Sequence, residues 1–323
     1  MILLCGIPSE PPLAMVASAL QQSRVHYFVL NQRAVEQAHI EFTLRGGHAY
    51  GWLEYGNASY RLEDFQGVYL RLMDELSVPE VAQSPPDSEL RIHARRFHES
   101  IAAWLEVTDS KVVNRPSAMA SNNSKPFQAQ LIRRYGLCVP ETLITNDPEL
   151  VLEFRRKHGR IIYKSISGAR SIVQTLEDKD VGRLEKIRWC ATQFQQYIEG
   201  VDIRVHTVGR QVFATRIVSG AVDYRYAQSQ VGESAELEAW ELPPEIARSC
   251  VAVAEGLGLP FAGLDLKITP SGRAFCFEVN PCPGFSYYEA SAGQPIAMAV
   301  AEYLTSRETE SIAPVAVALS PGG

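Results

Sequence analysis

The chain begins with two short apolar runs separated by an amphipathic segment. Ile2 to Ile7 and Val25 to Leu30 are the apolar runs, and Leu13 to Gln22 carries apolar residues at helical spacing. Short apolar runs predict buried strands, whereas a period of about 3.6 residues predicts a helix. The order therefore predicts a β-α-β start of Rossmann type. No GxGxxG motif follows the first run, so a dinucleotide site is only weakly indicated.

Three short segments of alternating polarity follow and predict a small antiparallel insert: Glu41 to Leu44, Tyr50 to Tyr55 and Ser59 to Leu62. The pattern then predicts a buried strand, a long helix and a closing strand: Gly67 to Leu72, Glu89 to Glu106 and Lys111 to Asn114. Arg71 lies near the end of the first of these strands, where open α/β sheets bind ligands. Two interpretations stay open for Arg71: contact with a substrate carboxylate, or a structural ion pair with Asp74 or Glu75.

The remainder of the chain predicts helices and strands in mixed order. Helices are predicted for Ser124 to Tyr135, Glu149 to His158, Pro243 to Gly256 and Ala292 to Leu304. Strands are predicted for Arg160 to Lys164, Ile172 to Leu176, Ala191 to Ile198, Asp202 to Val208 and Gln211 to Val218. Asp202, Arg204 and His206 share one face of their strand. We interpret His206 as a satisfied structural histidine, because no second ligand lies at metal spacing.

A β-hairpin is predicted late in the chain. Leu264 to Ile268 and Ala274 to Val279 are rich in β-forming residues and flank Thr269 to Gly272. Proline second and glycine last suit a type I turn. If the two central residues form the turn, Asp265 lies opposite Cys276. A two- or four-residue loop preserves the resulting alternation, and a three-residue loop breaks it.

The hairpin brings three oxygen ligands together. Asp265, Glu278 and Asn280 share one face when side chains alternate with period two. Two carboxylates and an amide, without histidine or thiolate, are typical of a Mg²⁺ or Mn²⁺ site. The other interpretation is that Asp265 and Glu278 are solvated residues of an ordinary hairpin. The apolar neighbours Cys276 and Phe277 favour the metal site, because the shared face is then not simply polar.

Lys164 is a second candidate for phosphate chemistry. It ends a predicted strand and precedes a loop of small residues, Ser165 to Ser171. A lysine ammonium is a point charge that suits phosphate, and small residues let backbone N–H groups approach. A plain turn explains the same pattern.

Composition excludes several classes of function. The 323 residues, 46% hydrophobic and 21% charged, suit two or three lobes of an ordinary globular protein. A net charge of -6 argues against a general nucleic-acid-binding surface. Six scattered cysteines without CxxC spacing indicate neither disulfides nor zinc. No long apolar span or basic leader is present, so we expect a cytoplasmic protein that does not contact membranes.

Taken in order, these parts resemble the ATP-grasp superfamily, and within it the ribosomal-protein glutamate ligases and microviridin-type peptide-maturing ligases. The motifs that carry the resemblance are VPETLITNDPELVLEF (Val139 to Phe154), QQYIEGVDIRVHTVG (Gln195 to Gly209), VDYRYA (Val222 to Ala227) and the hairpin Gly263 to Gly284. Four motifs in the family's order are a specific signal. The resemblance covers nearly the whole chain and is best from Ser124 to Leu304.

The resemblance implies an α/β fold with α+β lobes, namely an ATP-grasp fold preceded by a Rossmann-like domain. Residues 1–114 would form this N-terminal, substrate-side domain, and 115–190 the small central lobe. Residues 191–305 would form the C-terminal lobe with the metal site, and 306–323 a loose tail.

The resemblance also implies roles for individual residues. Basic positions facing the phosphates or the reacting carboxylate are Arg204, Arg216 and Arg225. Nucleotide contacts are implied for Lys125, Lys164, Ser167, Gly168, Gln196, Tyr197, Ile198 and Asp202, with Gln196 to Ile198 as the hinge whose backbone meets adenine. Asp265, Glu278 and Asn280 match magnesium ligands. The chain departs from the family in a loop after Lys164 that is poorer in glycine, and in a basic N-terminal cluster reduced to Arg71.

The implied activity is an ATP-dependent ligation of a carboxylate to an amine or a hydroxyl, through an acyl-phosphate, with ADP and phosphate released. ATP and Mg²⁺, or Mn²⁺, would be the cofactors. The substrate would be a peptide, an amino acid or another small metabolite, and a homo-oligomer is a family expectation. Alternatives are an ATP-grasp kinase and a non-catalytic ATP-binding module. Cys282 is not favoured as a nucleophile, because no histidine or helix start is evident to lower its pKa.

Overall fold

The computed structural model describes residues 1–165, 173–218 and 236–306. The strands are β1 (Ile2–Gly6), β2 (Tyr27–Asn31), β3 (Ala38–Arg45), β4 (His48–Tyr55), β5 (Ala58–Arg61), β6 (Gly67–Leu70), β7 (Lys111–Val113), β8 (Thr142–Thr145), β9 (Ile161–Ser165), β10 (Gln174–Thr175), β11 (Thr192–Gln196), β12 (Val201–Val208), β13 (Gln211–Val218), β14 (Glu236–Trp240), β15 (Phe261–Ile268) and β16 (Ala274–Asn280).

The α-helices are α1 (Pro11–Gln22), α2 (Pro79–Ala82), α3 (Glu89–Val107), α4 (Pro116–Met119), α5 (Lys125–Arg134), α6 (Pro148–His158), α7 (Asp178–Val181), α8 (Pro244–Gly256), α9 (Ser286–Ala292) and α10 (Ile296–Thr305). Short 3₁₀ helices lie at Gln32–Gln37, Leu62–Asp64, Glu75–Ser77, Ala120–Asn123 and Leu184–Trp189. None of the described helices is both long enough and apolar enough to cross a membrane.

A parallel sheet in the order β2-β1-β6-β7 forms the centre of the N-terminal lobe. Leu4 packs in one apolar cluster with Val16 of α1, and Leu3 packs in another with Trp104 of α3. The sheet is therefore covered on both faces, which explains why its strands are continuous apolar runs. The predicted Rossmann-type start is confirmed, and so is the antiparallel insert, which has the order β3-β4-β5.

The central lobe contains an antiparallel sheet in the order β10-β9-β11-β8. Ile161 and Phe194 pack on one face of this sheet with Val151 of α6. The opposite face is turned away from this cluster and contains Lys164, which lies opposite Gln193 of β11. β11 belongs to this sheet although it comes after residue 190, where the central lobe was predicted to end. The domain boundary stays a prediction.

The C-terminal lobe is a five-stranded antiparallel sheet in the order β14-β13-β12-β15-β16. Val205 and Leu264 pack on one face with Val253 of α8 and Ile132 of α5. Because side chains alternate, the neighbouring residues of β12 and β15 project from the other face. The polar residues of the candidate site lie on this second face.

The last helix returns to the N-terminal lobe. Val300 and Leu304 of α10 join the cluster that contains Leu4 of β1. Gly67 allows this close packing, since a Cβ atom there would lie 2.7 Å from the Leu304 carbonyl oxygen. The start of this helix was predicted wrongly at Ala292. Gly293, with φ of 66°, ends α9 in the left-handed conformation, and α10 starts after a proline.

The turn of the β15–β16 hairpin differs from the predicted one. The Thr269 N–H donates to the Arg273 carbonyl at 3.0 Å, and the Gly272 N–H donates to the Thr269 carbonyl at 2.9 Å. Gly272 has a φ of 80°. The loop therefore has the three residues 270–272 and matches a type I turn followed by a bulge at a left-handed glycine. A loop of this length shifts the pairing of the two strands by one residue.

A second irregularity restores the alternation. Cys276 lies opposite Leu266, so the predicted pairing of Cys276 with Asp265 is wrong. The register then shifts between Asp265 and Leu266 and leaves Phe277 unpaired, which places Asp265 opposite Glu278. The bulge at Phe277 offsets the three-residue loop. The two acidic residues consequently share a face, as predicted, but by a different register.

Candidate active site

Three oxygen-bearing side chains meet on the polar face of the β15–β16 hairpin. Asp265 lies directly opposite Glu278, and Asn280 lies opposite Gly263, two residues further along each strand. Side chains at alternate positions project from the same face. Within the described ranges, no group of three or more histidine, cysteine, aspartate and glutamate residues could hold a metal ion. The Asn280 amide is the candidate for a third protein ligand beside the two carboxylates.

Basic side chains lie beside both carboxylates. Arg204 Nη1 donates to Asp265 Oδ1 at 2.7 Å. Lys125 forms an ion pair with Glu278 and donates to Asn122 Oδ1 at 2.6 Å. These cations offset the repulsion between two carboxylates on neighbouring strands. The sequence resemblance placed Lys125 near phosphates, and the structure places it at the proposed metal ligand.

Gly263 gives the Arg204 guanidinium room to cross β15. A Cβ atom at position 263 would lie 2.2 Å from Arg204 Nη2 and 2.7 Å from the Pro283 Cβ. Real Cβ atoms do not approach other heavy atoms this closely. The absence of a side chain at Gly263 therefore allows Arg204 to reach Asp265.

His206 lies behind Arg204 in the interior. Its ring is fully buried, and Arg204 Nε donates to His206 Nε2 at 3.4 Å. Burial and the positive charge of Arg204 hold the pKa of His206 well below its usual value, so the ring is neutral and can accept this hydrogen bond. In the described part of the chain, His206 Nδ1 makes no hydrogen bond. His206 is thus a buried residue, as interpreted, but only half satisfied.

A cleft separates the central sheet from the C-terminal sheet. It contains about 820 Å³ of empty space, including the part open to solvent, which lies within the range of roughly 300–1,000 Å³ for small-molecule sites. Predicted site residues that line it are Lys164, Tyr197, Ile198, Asp202, Asp265 and Glu278. The cleft therefore joins the predicted nucleotide residues to two of the predicted metal ligands.

An ion pair lies on the C-terminal wall of the cleft, and a cation–π contact links this wall to Tyr197. Lys267 Nζ lies 3.2 Å from Asp202 Oδ2 and 5.6 Å from the centre of the Tyr197 ring. The Arg160 guanidinium lies 3.8 Å from the centre of the same ring. The Tyr197 ring therefore makes cation–π contacts with two cations. Asp202, for which a nucleotide contact is implied, forms an ion pair with Lys267.

The predicted hinge has one backbone donor that is not used by its neighbours. The Gln196 N–H donates to the Glu141 carbonyl at 2.9 Å, and the Tyr197 N–H donates to the Arg160 carbonyl at 3.2 Å. Across the described ranges, the Ile198 N–H donates to no backbone carbonyl. If this segment contacts adenine, the donor is therefore Ile198.

The remaining predicted residues are not at this centre. Arg216 lies opposite Ile203 of β12, on the apolar face of the sheet, and its Nη1 donates to Glu238 at 2.8 Å. It thus projects from the face opposite to Arg204. Ser167, Gly168 and Arg225 lie outside the described residues, as does the motif Val222 to Ala227.

The donor set fits a hard divalent cation. Asp265 and Glu278 supply carboxylate oxygens, and Asn280 supplies an amide oxygen that accepts from the Cys282 N–H at 2.9 Å. Accepting one hydrogen bond orients the amide and leaves its oxygen a second lone pair. Magnesium is usually held by one or two carboxylates together with phosphate oxygens. These three residues could hold such an ion.

Two further residues near the site were not singled out from the sequence. Lys267 lies two residues from Asp265 on β15, so the period of a strand already places both on one face. Gln128 lies three residues after Lys125 on α5, so both face β16. Its side chain donates to the Val279 carbonyl at 2.7 Å and accepts from the Val279 N–H at 2.9 Å. The spacing of Lys267 from Asp265, and of Gln128 from Lys125, could have identified both residues from the sequence.

Arg71 takes part in a structural ion pair with a different partner from those predicted. Its Nε and Nη2 donate to the Glu10 carboxylate at 2.9 and 2.5 Å, and Nη1 donates to the Pro283 carbonyl at 3.1 Å. Asp74 instead caps the turn that follows it. All three guanidinium nitrogens of Arg71 are thus used by the protein, which argues against its binding a substrate carboxylate.

Cys282 lies next to the proposed ligand Asn280. Although the residue as a whole is exposed, loss of solvent around the thiol raises its pKa, and the nearby Arg71 offsets only part of this rise. The thiol is consequently protonated near neutral pH. This supports the sequence-based view that Cys282 is not an activated nucleophile.

Comparisons with known proteins agree on the ATP-grasp fold. A family model described as a RimK-like ATP-grasp domain matches residues 122–304, more than half of the chain. A protein of Photobacterium profundum named probable alpha-L-glutamate ligase is 28% identical over 216 residues, which cover 64% of this chain and 70% of that protein. A protein of the same name from Teredinibacter turnerae is 26% identical over 218 residues, 64% of this chain and 71% of its own.

Two solved structures cover almost the whole chain. The ATP-grasp ligase PsnB, complexed with a minimal precursor, Mg and ADP, is 29% identical with a TM-score of 0.77 and matches 94% of this chain and 96% of its own. The macrocyclase MdnC from Microcystis aeruginosa, bound with precursor peptide MdnA, is 22% identical with a TM-score of 0.77 and matches 95% and 100%. At 22% identity, the second likeness concerns the fold alone.

Proposed function

The chain belongs to the RimK-like ATP-grasp family of ligases, and we propose that it joins a carboxylate to an amine, or to a hydroxyl, through an acyl-phosphate. In the first step, a substrate carboxylate oxygen attacks the γ-phosphorus of ATP, and the bond to ADP breaks. In the second step, the amine attacks the acyl carbon and loses a proton, and phosphate leaves. The observation that carries the proposal is that Asp265 and Glu278, which share a strand face with Asn280, line a cleft that also contains Lys164.

ATP would lie in the cleft between the two sheets. The Ile198 N–H is available for an adenine nitrogen, and the ring of Tyr197 lines the cleft beside it. Lys164 also lines the cleft and would contact phosphates as a point charge. Lys125 reaches the cleft from α5 through Glu278. The site thus offers candidate contacts both for adenine and for phosphate.

Magnesium is the proposed metal of this site. Asp265, Glu278 and Asn280 would hold it, and when bound it would neutralise the charge of the terminal phosphates. Arg204, fixed by Asp265 and His206, would stabilise negative charge on the reacting carboxylate or the leaving phosphate. The protein aligns the groups and balances their charge, so no nucleophilic side chain is required.

A peptide is the proposed substrate class, with an amino acid as the alternative. PsnB and MdnC were solved with precursor peptides, whereas the sequence relatives are named glutamate ligases. Arg71 is fully used within the protein, so the donor carboxylate would be recognised elsewhere. Two tyrosines follow the hairpin: Tyr287 is exposed, whereas Tyr288 packs on His206 and on Arg204. Tyr287 is therefore the better candidate for a substrate contact.

Product analysis tests the proposal. Purified protein is incubated with ATP, Mg²⁺ and pools of amino acids and short peptides, and the nucleotide and any new mass are identified. ADP, phosphate and a product equal to two substrates, or one peptide, minus water would support the ligase. ADP with a phosphorylated product would show a kinase instead. Tight ADP binding without turnover on any pool would point to a non-catalytic nucleotide-binding module.

A further inference from the structure

The outer edge of β16 pairs with no other strand among the described residues, although the Cys138 backbone bonds to Ala274 and Cys276 near the start of β16. Side chains from other parts of the chain bind the carbonyl groups along this edge and just beyond it. The donor and acceptor pairs are Gln128 Nε2 to Val279 O at 2.7 Å, Asn114 Nδ2 to Pro281 O at 2.5 Å, and Arg71 Nη1 to Pro283 O at 3.1 Å. We call Gln128, Asn114 and Arg71 the edge donors.

The three acceptors are alternate residues of one continuous segment. Val279 belongs to β16, whereas residues 281 and 282 form a bend, so the three bonds follow the chain from the strand into the loop. The segment includes Glu278 at its start and Asn280 between the first two acceptors. The edge donors therefore hold the backbone on both sides of Asn280, and directly after Glu278.

Each edge donor is itself buried and fixed. Gln128 and Asn114 are each 1% exposed, and Arg71 is 7% exposed. Gln128 also accepts from the Val279 N–H at 2.9 Å, so it pairs with this residue as a strand would. A buried side chain with two such bonds cannot move without leaving polar groups unpaired.

Asn114 ties the segment to the start of the neighbouring strand. Its Nδ2 also donates to the Phe261 carbonyl at 2.6 Å, and its Oδ1 accepts from the Phe261 N–H at 3.1 Å. Phe261 begins β15, which carries Asp265. Asn114 thus connects β15, which carries Asp265, to the loop that follows β16, which carries Glu278.

Arg71 is oriented by Glu10 before it reaches the loop. The bidentate contact with the Glu10 carboxylate fixes the plane of the guanidinium, and the remaining nitrogen faces the Pro283 carbonyl. Arg71 and Asn114 both belong to the N-terminal lobe, whereas Gln128 belongs to α5. The loop after Asn280 is consequently held mainly by the N-terminal lobe.

We propose that Gln128, Asn114 and Arg71 are positioning residues for the metal site, which set the direction of Glu278 and Asn280. The inference rests on the proposed function, because it takes these two residues as metal ligands. Ligand side chains must be held within about 0.5 Å of their productive geometry. The backbone bonds of Cys138 end at Cys276, so beyond that residue the edge donors take the place of a neighbouring strand.

The test compares the Mg²⁺ dependence of ADP binding in three variants by isothermal titration calorimetry. Gln128→Met keeps the size and removes both bonds, whereas Gln128→Glu keeps the acceptor for the Val279 N–H. Arg71→Lys keeps the charge but lacks the guanidinium plane. For Gln128→Met, we expect the Mg²⁺ concentration that gives half of the maximal enhancement of ADP binding to rise about 10-fold. Gln128→Glu and Arg71→Lys should show smaller rises, and ADP affinity without metal should not change in any variant.

Gln32→Met is the matched control. Gln32 is also buried, and it makes the same pair of bonds to the backbone of Met73, at 2.6 and 2.9 Å, without contacting the hairpin segment. It should lower stability without changing the Mg²⁺ dependence. Melting temperatures and circular dichroism verify folding, and if Gln128→Met does not fold, Gln128→Glu and Arg71→Lys carry the test.

Two results would overturn the inference. One is a folded Gln128→Met or Gln128→Glu with the Mg²⁺ dependence of the Gln32→Met control. The other is an Arg71→Lys that raises the KM of the carboxylate substrate while its Mg²⁺ dependence is normal, since this would make Arg71 a substrate contact. A wild-type protein whose ADP binding ignores Mg²⁺ would instead contradict the proposed function.

Discussion

Lys125 and Glu278 form an ion pair that joins the first turn of α5 to β16. Both side chains are largely shielded from solvent, with 19% and 26% of their surface exposed. The proposed function assigns phosphates to Lys125 and a metal ion to Glu278. Each residue is therefore the counter-charge of the other until nucleotide and metal arrive. Phosphate binding to Lys125 frees Glu278 for the metal, and metal binding to Glu278 frees Lys125 for phosphate. The two binding events should therefore favour each other.

The first prediction concerns Glu278→Gln. Without its ionised partner, Lys125 is available to phosphate from the start, so ADP should bind about two- to fivefold more tightly in EDTA. The enhancement of ADP binding by Mg²⁺ should be lost, and kcat should fall by at least about 100-fold. Isothermal titration calorimetry in EDTA and in Mg²⁺, together with steady-state turnover, measures these changes.

Glu80→Gln is the control for this prediction. Glu80 is also paired with a cation, Arg33, but it lies on α2 of the N-terminal lobe. Removing its charge should leave ADP binding and its Mg²⁺ dependence as in the wild type. A Glu278→Gln protein with normal Mg²⁺ enhancement would refute the metal assignment.

The second prediction concerns Asp265→Asn. The amide is a weaker metal ligand and no longer balances the charge of Arg204. Turnover should be abolished while the protein stays folded, because neither the β15 backbone nor the apolar face of the sheet is altered. Melting temperature and turnover at limiting Mg²⁺ measure the two effects. Wild-type activity at limiting Mg²⁺ would show that Asp265 is not a ligand.

The shared face of Asp265 and Glu278 was predictable from the sequence, but the register was not. Strand alternation follows from local spacing, whereas the loop length depended on whether Gly272 takes a positive φ. The bulge at Phe277 then compensated, which no local pattern indicates. The predicted shared face was correct because the three-residue loop and the bulge at Phe277 offset each other.

Contacts between residues that are far apart in the chain could also not be predicted from the sequence. The pairing of Arg71 with Glu10 spans 61 residues, and nearby Asp74 and Glu75 were the natural candidates. Only the packing of β6 beside β1 brings residue 71 to the loop after β1. Similarly, the spacing of Lys125 and Gln128 shows a shared helix face but not that Val279 lies against it.

The third prediction concerns the pH dependence contributed by His206. Its pKa in the folded protein lies well below the usual 6.5, because of burial and Arg204. As pH falls below about 6.5, the unfolded chain therefore binds a proton that the folded protein does not. Stability should fall by up to about 1.4 kcal/mol per pH unit from this residue until its folded pKa is reached. His206→Phe should remove this slope.

Urea unfolding at several pH values between 7.5 and 5 compares the two proteins. His206→Phe will itself change the stability, so the slope with pH is the quantity that matters. His39→Gln, on the exposed side of β3, should keep the wild-type slope. Equal slopes for wild type and His206→Phe would show that His206 does not resist protonation.

The fourth prediction concerns Cys282→Ser. The thiol has a raised pKa and is not placed to act as a nucleophile. Turnover should therefore stay within about twofold of the wild type. Cys190→Ser, at an exposed residue remote from the hairpin, is the comparison. A loss of turnover in Cys282→Ser alone, across pH 7 to 9, would require a role for the thiol.

The last prediction concerns Gly263→Ala. The new Cβ would lie 2.2 Å from Arg204 Nη2, so the guanidinium must leave Asp265. A displacement of about 1 Å at the reacting groups can cost about 100-fold in rate, so kcat should fall by about 10- to 100-fold. The KM for ATP should change little, because Gly263 is remote from the hinge. Gly284→Ala is the control, since a Cβ there meets no atom within 4 Å. If both variants turn over equally fast, the contact between Arg204 and Asp265 is not needed for the reaction.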